Sequence, residues 1–561
     1  MRHFIANKEI TPINTFDIGI NVNFEGTVDQ NKLTTDTIKV NREAYTLIQN
    51  HLLAKSFLEG LDYKVEFATG KELNFAIDFT NSFRDFGNEC EFNLRAIKSH
   101  DHFFDDAQGL SFELVNTKIK FTGFQVGYQV IPKDAVAQAL ITSVSLFMIS
   151  MALADKAREL SKTAKEFGSA VAYAPFAIQG KLVEAAVQLL IEIAFTAILL
   201  FQAVQLIKRL FNLIFPQVRY LNACTVKELL EKSCSYLGYT FKSTIFDNNY
   251  NNIAILPIPQ NTTSQKWYEI FQNDITLKYN KCYPSASDVT PTLGTLLNQM
   301  QIMFNADIRV VDKEVHLERW DYWQNSNKLS LKQPMNVQEL RKNVFTFDTS
   351  KLFKRYYIHY STDYSDQTTL DNFENTNAEY SQDLISGATN EFNLIKGLTD
   401  VNIPFARAKA KTYQSWLEKE FVKLFKLVDK LAGTNYAYKK DKKGYIVITE
   451  QFFSITKIFM WDGVEKVSQT NEYKLNASNI WNNFHVINSL ENNQYIIYEN
   501  VKIPMTGSEF LDVYRNNYVN IEGTICKIIT LQYFDKKNFA IISFKMPKNL
   551  IKNSSKLTKL Y

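Results

Sequence analysis

Cysteine is scarce in this chain of 561 residues. The five present, Cys90, Cys224, Cys234, Cys282 and Cys526, are scattered and odd in number, which argues against a disulfide framework and for buried free thiols in a reducing compartment. Glycine (19) and proline (12) are also few, so long disordered linkers are not expected. No charge of one sign dominates: 63 basic and 59 acidic side chains leave a net +4, and that balance gives no nucleic-acid footprint. The N-terminal stretch MRHFIANKEITPIN has no apolar core, so no secretory signal is expected. Motifs that carry chemistry are missing as well. There is no Walker loop, no GxGxxG after a strand, no GxSxG elbow, no HExxH, no CxxC pair and no EF-hand loop. The one dense group of metal-ligand types is His100-Asp101-His102 with Asp105 and Asp106. Positions i and i+2 on a helix do not converge, so a solvated helix start is the expectation there. The sequence therefore predicts no catalytic residues, no metal, no cofactor and no enzymatic activity.

What the chain does have is length, aromatic side chains and alternation. Its length calls for roughly three to five domains. The 42 Phe and 28 Tyr favour strands. Asp17–Phe24, Tyr63–Phe67 and Glu72–Phe79 alternate with period two, with a helix expected over Glu43–Leu58. A second helix is expected over Ser99–Ala107 and a strand over Leu110–Val115. The fold class is α+β and multidomain. The expected segments are an N-terminal β-rich domain (1–132), an apolar helical hairpin (133–217) and a mixed region with a duplicated helix-hairpin unit (218–333). A β-rich domain (334–403), an amphipathic helix with its connector (404–443) and a C-terminal β-rich domain (444–561) follow. The duplication is visible in VKELLEKSCSYLGYTFKS and LGTLLNQMQIMFNADIRV. Leu229-Leu230, Leu237, Gly238 and Phe241 of the first copy recur as Leu296-Leu297, Phe304, Asn305 and Ile308 of the second. Each copy reads as an amphipathic helix, a Gly or Asn stop, and a strand. In the C-terminal part a short helix over Ser508–Asn516 is expected to be capped from Thr506 or Ser508.

The hairpin is the outlier. Ala135–Ala154 carries no charge; a charged connector, Asp155–Glu166, and a second apolar run, Leu182–Leu210, follow. A membrane span needs about 20 apolar residues. The first arm reaches that length but is diluted by Gln138, Thr142, Ser143, Ser145 and Ser150, and the uncharged core of the second, Ile193–Ile207, is short. On the second arm Glu184, Gln188, Glu192 and Thr196 recur every four residues and form one polar stripe. Two readings of the stripe stay open: it faces water or a polar seam inside a protein assembly, or it lines a pore made by an inserted hairpin. A further helix is expected from about Phe405 to Leu431, with Leu417, Phe421, Leu424, Val428 and Leu431 as a helix-packing seam. Such a pattern serves core packing more often than a partner site.

The second half has a recognisable look. Thr290–Trp323 (TPTLGTLLNQMQIMFNADIRVVDKEVHLERWDYW) resembles the helix–strand units of tail, or baseplate, hub proteins of tailed bacteriophages, most of all the long tail structural proteins of phages infecting Bacteroidetes. Phe345–Asp366, Gly444–Gly463 and Gly523–Met546 are similar to later blocks of the same proteins, and Ile97–Val115 more faintly so. The resemblance implies a virion structural protein: β-rich hub-like domains in an oligomeric ring around the DNA channel at the tail tip. It implies further copies of the chain and other tail proteins (tube, fibres or spike) as partners, transient contact with the host membrane, and no sequence-specific nucleic-acid binding. It also implies synthesis in the host cytoplasm and residence in the virion tail. On that view the stripe Glu184, Gln188, Glu192 and Thr196 faces the axis or lumen, and the hairpin packs in the assembly or aids membrane engagement during genome delivery. The rival expectations are a stand-alone membrane-inserting pore-forming protein and a tail-associated cell-wall hydrolase.

Overall fold

The computed structural model describes residues 1–15, 18–24, 33–80, 83–96, 100–130, 218–258, 281–286, 288, 290–311, 313–325, 329–331, 345–348, 352–366, 369, 377–384, 397–411, 445–448, 453–463, 467, 471–486, 495–521 and 524–547. The hairpin 133–217, its stripe and the seam Leu417–Leu431 lie outside the described residues.

The fold is α+β, with several sheets. Among the described residues the largest has 13 strands and draws on both ends of the chain. Ile20–Asn23 pairs antiparallel with Thr530–Tyr533 inside the long strand Thr524–Phe534, in the register Ile20↔Tyr533 to Asn23↔Thr530. Sequence assigns these residues to separate N- and C-terminal segments; the pairing joins them. One core serves both: Ile20, Val22, Phe75, Phe92, Ile528, Tyr533 and Phe544 are buried in it together. Alternation within each strand is the cause. Ile20 and Val22 face inward and Asn23 outward, so a slip of one residue would exchange the buried and solvated sets. The helix Gly507–Arg515 closes over this core. Its capping box is made by Thr506 and Glu509, so the expected cap is Thr506.

The second sheet has seven strands, ordered Ala406–Arg407, Lys457–Met460, Ile253–Leu256, Val218–Thr225, Phe124–Val130, Tyr445–Ile448, Lys409–Lys411. The strands that flank residues 131–217 and 412–444 lie side by side in it. The chain leaves at Val130 and returns at Val218, where Gln129 and Val218 are paired neighbours. It leaves again after Lys411 and returns at Tyr445, which are themselves partners. Each excursion therefore starts and ends on adjacent antiparallel strands.

The two helix–strand segments that the sequence reads as a duplicated unit form the third part. The helix Val226–Tyr236 is capped by Thr225, stops at Gly238 (φ +81°) and leads to the strand Thr240–Lys242. The helix Leu293–Phe304 is capped by Thr292 and ends at Asn305 in the left-handed region (φ +43°), followed by Ala306–Val311. A turn at Lys313 (φ +66°) leads into Glu314–Arg319. The copies share a three-stranded sheet, because Thr240–Lys242 pairs parallel with Glu314–His316. Their helices bury Leu229, Leu230, Leu296, Leu297 and Phe304 in one core with Phe246 and Phe484. A buried ring of this size contributes about 2–3 kcal/mol.

Two expectations are corrected. Leu110–Val115 is not a strand: Phe112–Lys118 is a helix, because Ser111 accepts a hydrogen bond from the Leu114 amide and Phe112 and Val115 share one buried face. The helix expected from Phe405 does not begin there. Ala406–Arg407 and Lys409–Lys411 are strands, held by Lys457–Ile458 on one side and Tyr445–Val447 on the other.

A buried polar cluster fixes the loops beside the seven-stranded sheet. Asp363 accepts from Ser365 (amide 3.0 Å, hydroxyl 2.5 Å), from Ser454 (amide 2.9 Å, hydroxyl 2.6 Å) and from the Ile455 amide at 3.2 Å. Burial alone would raise its pKa; the hydroxyl donors Ser365 and Ser454 and the nearby Lys457 cation outweigh it and hold the carboxyl below its usual range. Lys457 has no exposed surface and lies 2.6 Å from Asp366 and 3.8 Å from Asp363. Next to it, Thr456 donates to Asp288 at 2.7 Å, and Asp288 also accepts from the amides of Ser285 and Ile258.

A tight contact between two helices supplies a stability test. A Cβ on Gly294 would lie 2.9 Å from the Cα and backbone nitrogen of Gln108, on the helix His100–Gly109. Backbone cannot yield as a flexible side chain can, so Gly294→Ala is expected to destabilise by about 2 kcal/mol. Thermal melting should show a fall of several degrees, whereas an unchanged midpoint would contradict this packing.

Candidate functional site

The described residues form a cleft of about 870 Å³ between the duplicated unit and the segment 471–486. One wall is Thr244, Asn248, Asn249 and Tyr250; Arg319, Asp321 and Tyr322 form the rim, and Tyr473, Lys474, Asn479, Asn483 and Phe484 face them. Both copies of the unit contribute, because the helix Thr244–Asn248 follows the first strand and Arg319 ends the last one. Glu318, buried at the strand end, accepts from the Thr244 amide at 3.0 Å and so ties the wall to the rim. Burial is the main cause of its raised pKa, partly offset by the Thr244 donors.

The cleft is lined by amides, phenols and one neutralised ion pair. The Arg319 guanidinium grips both carboxylate oxygens of Asp321, and Arg319 also donates to the Asn483 carbonyl at 3.4 Å. Lys474 is directed to the Asn249 carbonyl at 3.2 Å. Asn479 and Asn483 donate to carbonyls of their own helical segment, which stiffens that wall. Asp321 is therefore committed to an ion pair, and the lining offers no second carboxylate for paired acid–base chemistry.

Behind the cleft, His485 is fully packed. Its Nε2 lies 3.0 Å from the Met303 carbonyl, so that nitrogen carries the proton, and its Nδ1, 2.8 Å from the Tyr356 hydroxyl, accepts. Burial pushes its pKa down to about 4, against a smaller upward pull from the Met303 carbonyl. The pair joins the second repeat helix to the strand Arg355–Tyr360.

The sequence-derived candidates fare unevenly. Glu184, Gln188, Glu192, Thr196 and Leu417, Phe421, Leu424, Val428, Leu431 lie outside the described residues. Asp105 and Asp106 are exposed on the helix His100–Gly109. Among the described residues no group of three or more His, Cys, Asp or Glu side chains could hold a metal ion. Among them, too, no helix is long and apolar enough to cross a membrane. Sequence inspection did not pick out Arg319, Asp321, Asn479 or His485. The one available signal was that Arg319 ends, and Asp321 follows, the strand Glu314–Arg319.

No protein-family model matches the chain, and no curated protein matches it. Among solved structures, the prophage tail protein gp18 from Listeria monocytogenes EGD-e aligns with 98% of this chain and 95% of that one, at 8% sequence identity and a TM-score of 0.32.

The histidine sets a pH window. Its folded pKa, about 4, lies below the unfolded value of about 6.5, so the unfolded chain binds more protons between them. Its contribution is fully present above about pH 6.5 and is lost as pH falls toward 4, by at most about 3 kcal/mol. Denaturant titrations across that range should show the loss in the wild type and a smaller one in His485→Gln. Equal slopes would show that His485 does not control it.

Proposed function

We propose that the chain is a non-enzymatic structural protein of a bacteriophage tail, forming an oligomeric hub ring around the DNA channel at the tail or baseplate. It is made in the host cytoplasm, resides in the virion tail, and joins further copies of itself to tube, fibre or spike proteins.

The observation that supports this reading is an aromatic strand at the end of the large sheet. Phe345–Asp348 is the terminal strand of the 13-stranded sheet among the described residues, paired only on its Tyr495–Tyr498 side. Phe345 and Phe347 on it are 40% and 60% exposed. Open edges bearing exposed aromatics invite pairing with another chain, and stable monomers usually blunt them. A ring neighbour would add aromatic contact to the exposed parts of Phe345 and Phe347. The resemblance of Phe345–Asp366 to hub proteins falls on this same strand. The paired repeats, packed through one shared sheet, agree with the related domains that such hubs carry.

The hairpin 133–217 fits the same reading as an insertion. Its flanking strands pair with each other, so the sheet closes without it. It packs in the assembly or aids membrane engagement, with Glu184, Gln188, Glu192 and Thr196 toward the axis or lumen.

Negative-stain images of the purified chain should show rings of fixed subunit number. Phe345→Lys with Phe347→Lys should leave melting nearly unchanged and shift the protein to monomers on a sizing column. A wild type that stays monomeric at micromolar concentration would sink the ring. Glu192→Leu should alter ring assembly or DNA ejection more than monomer folding. Liposome binding without partners would favour a pore-forming protein instead, and clearing in a cell-wall zymogram a hydrolase.

A further inference from the structure

We propose that Lys457 and Asp366 are joined by an intramolecular isopeptide bond that the chain forms itself, with Asp363 as the proton carrier. Three observations point there. Lys457, Asp363 and Asp366 are all without exposed surface, so water neither solvates the pair nor competes as a nucleophile. Lys457 Nζ lies 2.6 Å from Asp366 Oδ2, yet it makes no hydrogen bond of proper geometry. The two groups meet nitrogen to carboxyl, beside the Phe453 ring, whose centroid is 5.2 Å from Nζ. An ammonium has three protons to place, and burying one whose neighbouring acceptors are poorly aligned is costly; an amide in the same position has one.

The second observation concerns Asp363. Its carboxylate already accepts from the amides and hydroxyls of Ser365 and Ser454 and from the Ile455 amide. Those donors compensate its charge without the lysine, so consuming the ammonium strands no anion. The third is preorganisation. Asp366 is held in a turn in which its amide donates to the Asp363 carbonyl at 3.0 Å, and Thr369 donates to the carbonyls of both aspartates. Lys457 begins the strand Lys457–Met460, paired on both sides within the seven-stranded sheet. Two reactants fixed in this way react as one molecule.

The step balances without a co-reactant. The ammonium passes one proton to the Asp366 carboxylate. The freed lone pair attacks Cγ, forming the N–C bond while the carbonyl pair moves to oxygen. Asp363, 3.8 Å from Nζ, takes a second proton from nitrogen and delivers it to the departing hydroxyl. The C–O bond breaks, the carbonyl reforms and one water leaves, with the last proton kept on the amide nitrogen. The product locks the 363–369 turn to the sheet.

Intact-mass measurement of the purified, denatured full chain tests this. The expected mass is about 18 Da, one water, below that of the sequence. A proteolytic digest should contain one branched peptide joining Lys457 to Asp366. Lys457→Arg keeps the cation and should restore the full mass. Asp363→Asn should lower the linked fraction several-fold. A wild type at full mass, with Lys457 and Asp366 recovered in separate linear peptides, overturns the proposal. An unchanged linked fraction in Asp363→Asn overturns the part given to Asp363.

Discussion

Buried polar groups must be satisfied, and this constraint organises the middle of the molecule. The strand Lys457–Met460 is apolar on most of its length, yet Thr456 and Lys457 at its start have no exposed surface. Polar groups there are tolerable only if other segments bring partners to them. Other segments do so: Asp288, Asp363 with Asp366, and Ser454 converge on the strand start from three places in the chain. Apolar packing alone would allow these loops many arrangements. The partners required by Thr456 and Lys457 leave few. Arg407, on the neighbouring strand and nearly buried, extends the same logic to Asn476 at 2.6 Å and to Glu472. The cleft wall at Tyr473–Asn483 therefore inherits its position from that polar centre.

The architecture separates a scaffold from its excursions. Two sheets and the duplicated unit form three apolar clusters. Where the chain leaves the seven-stranded sheet, at Val130 and at Lys411, it returns on a paired neighbour. The sheet thus anchors both ends of each excursion without depending on its content.

Local elements were legible in the sequence, and long-range ones were not. The repeat helices with their stops at Gly238 and Asn305, the cap at Thr506 and the alternation of Glu72–Ile77 follow from neighbours within a few residues. Leu110–Val115 misled because alternation over a short run resembles a strand until the Ser111 cap is weighed. Phe405 misled for the opposite reason: partners far away in the chain override a helical pattern there. Nothing in spacing marks Lys457, Asp363 or His485, since their partners are set by the tertiary fold. The cleft was illegible for the same reason, being built where the duplicated unit meets the segment 471–486.

The joining of Ile20–Asn23 to Thr530–Tyr533 has a consequence for synthesis. At roughly 5–20 residues per second, translation separates the two strands by about half a minute to two minutes. Throughout that time the first strand waits on the ribosome with one edge open, and the core around Val22 lacks Leu531 and Tyr533. A chain that stalls or is cut before its last strands cannot complete the large sheet. Completion of the large sheet thus reports synthesis through Tyr533, and a chain cut before that point keeps the Ile20–Asn23 edge open.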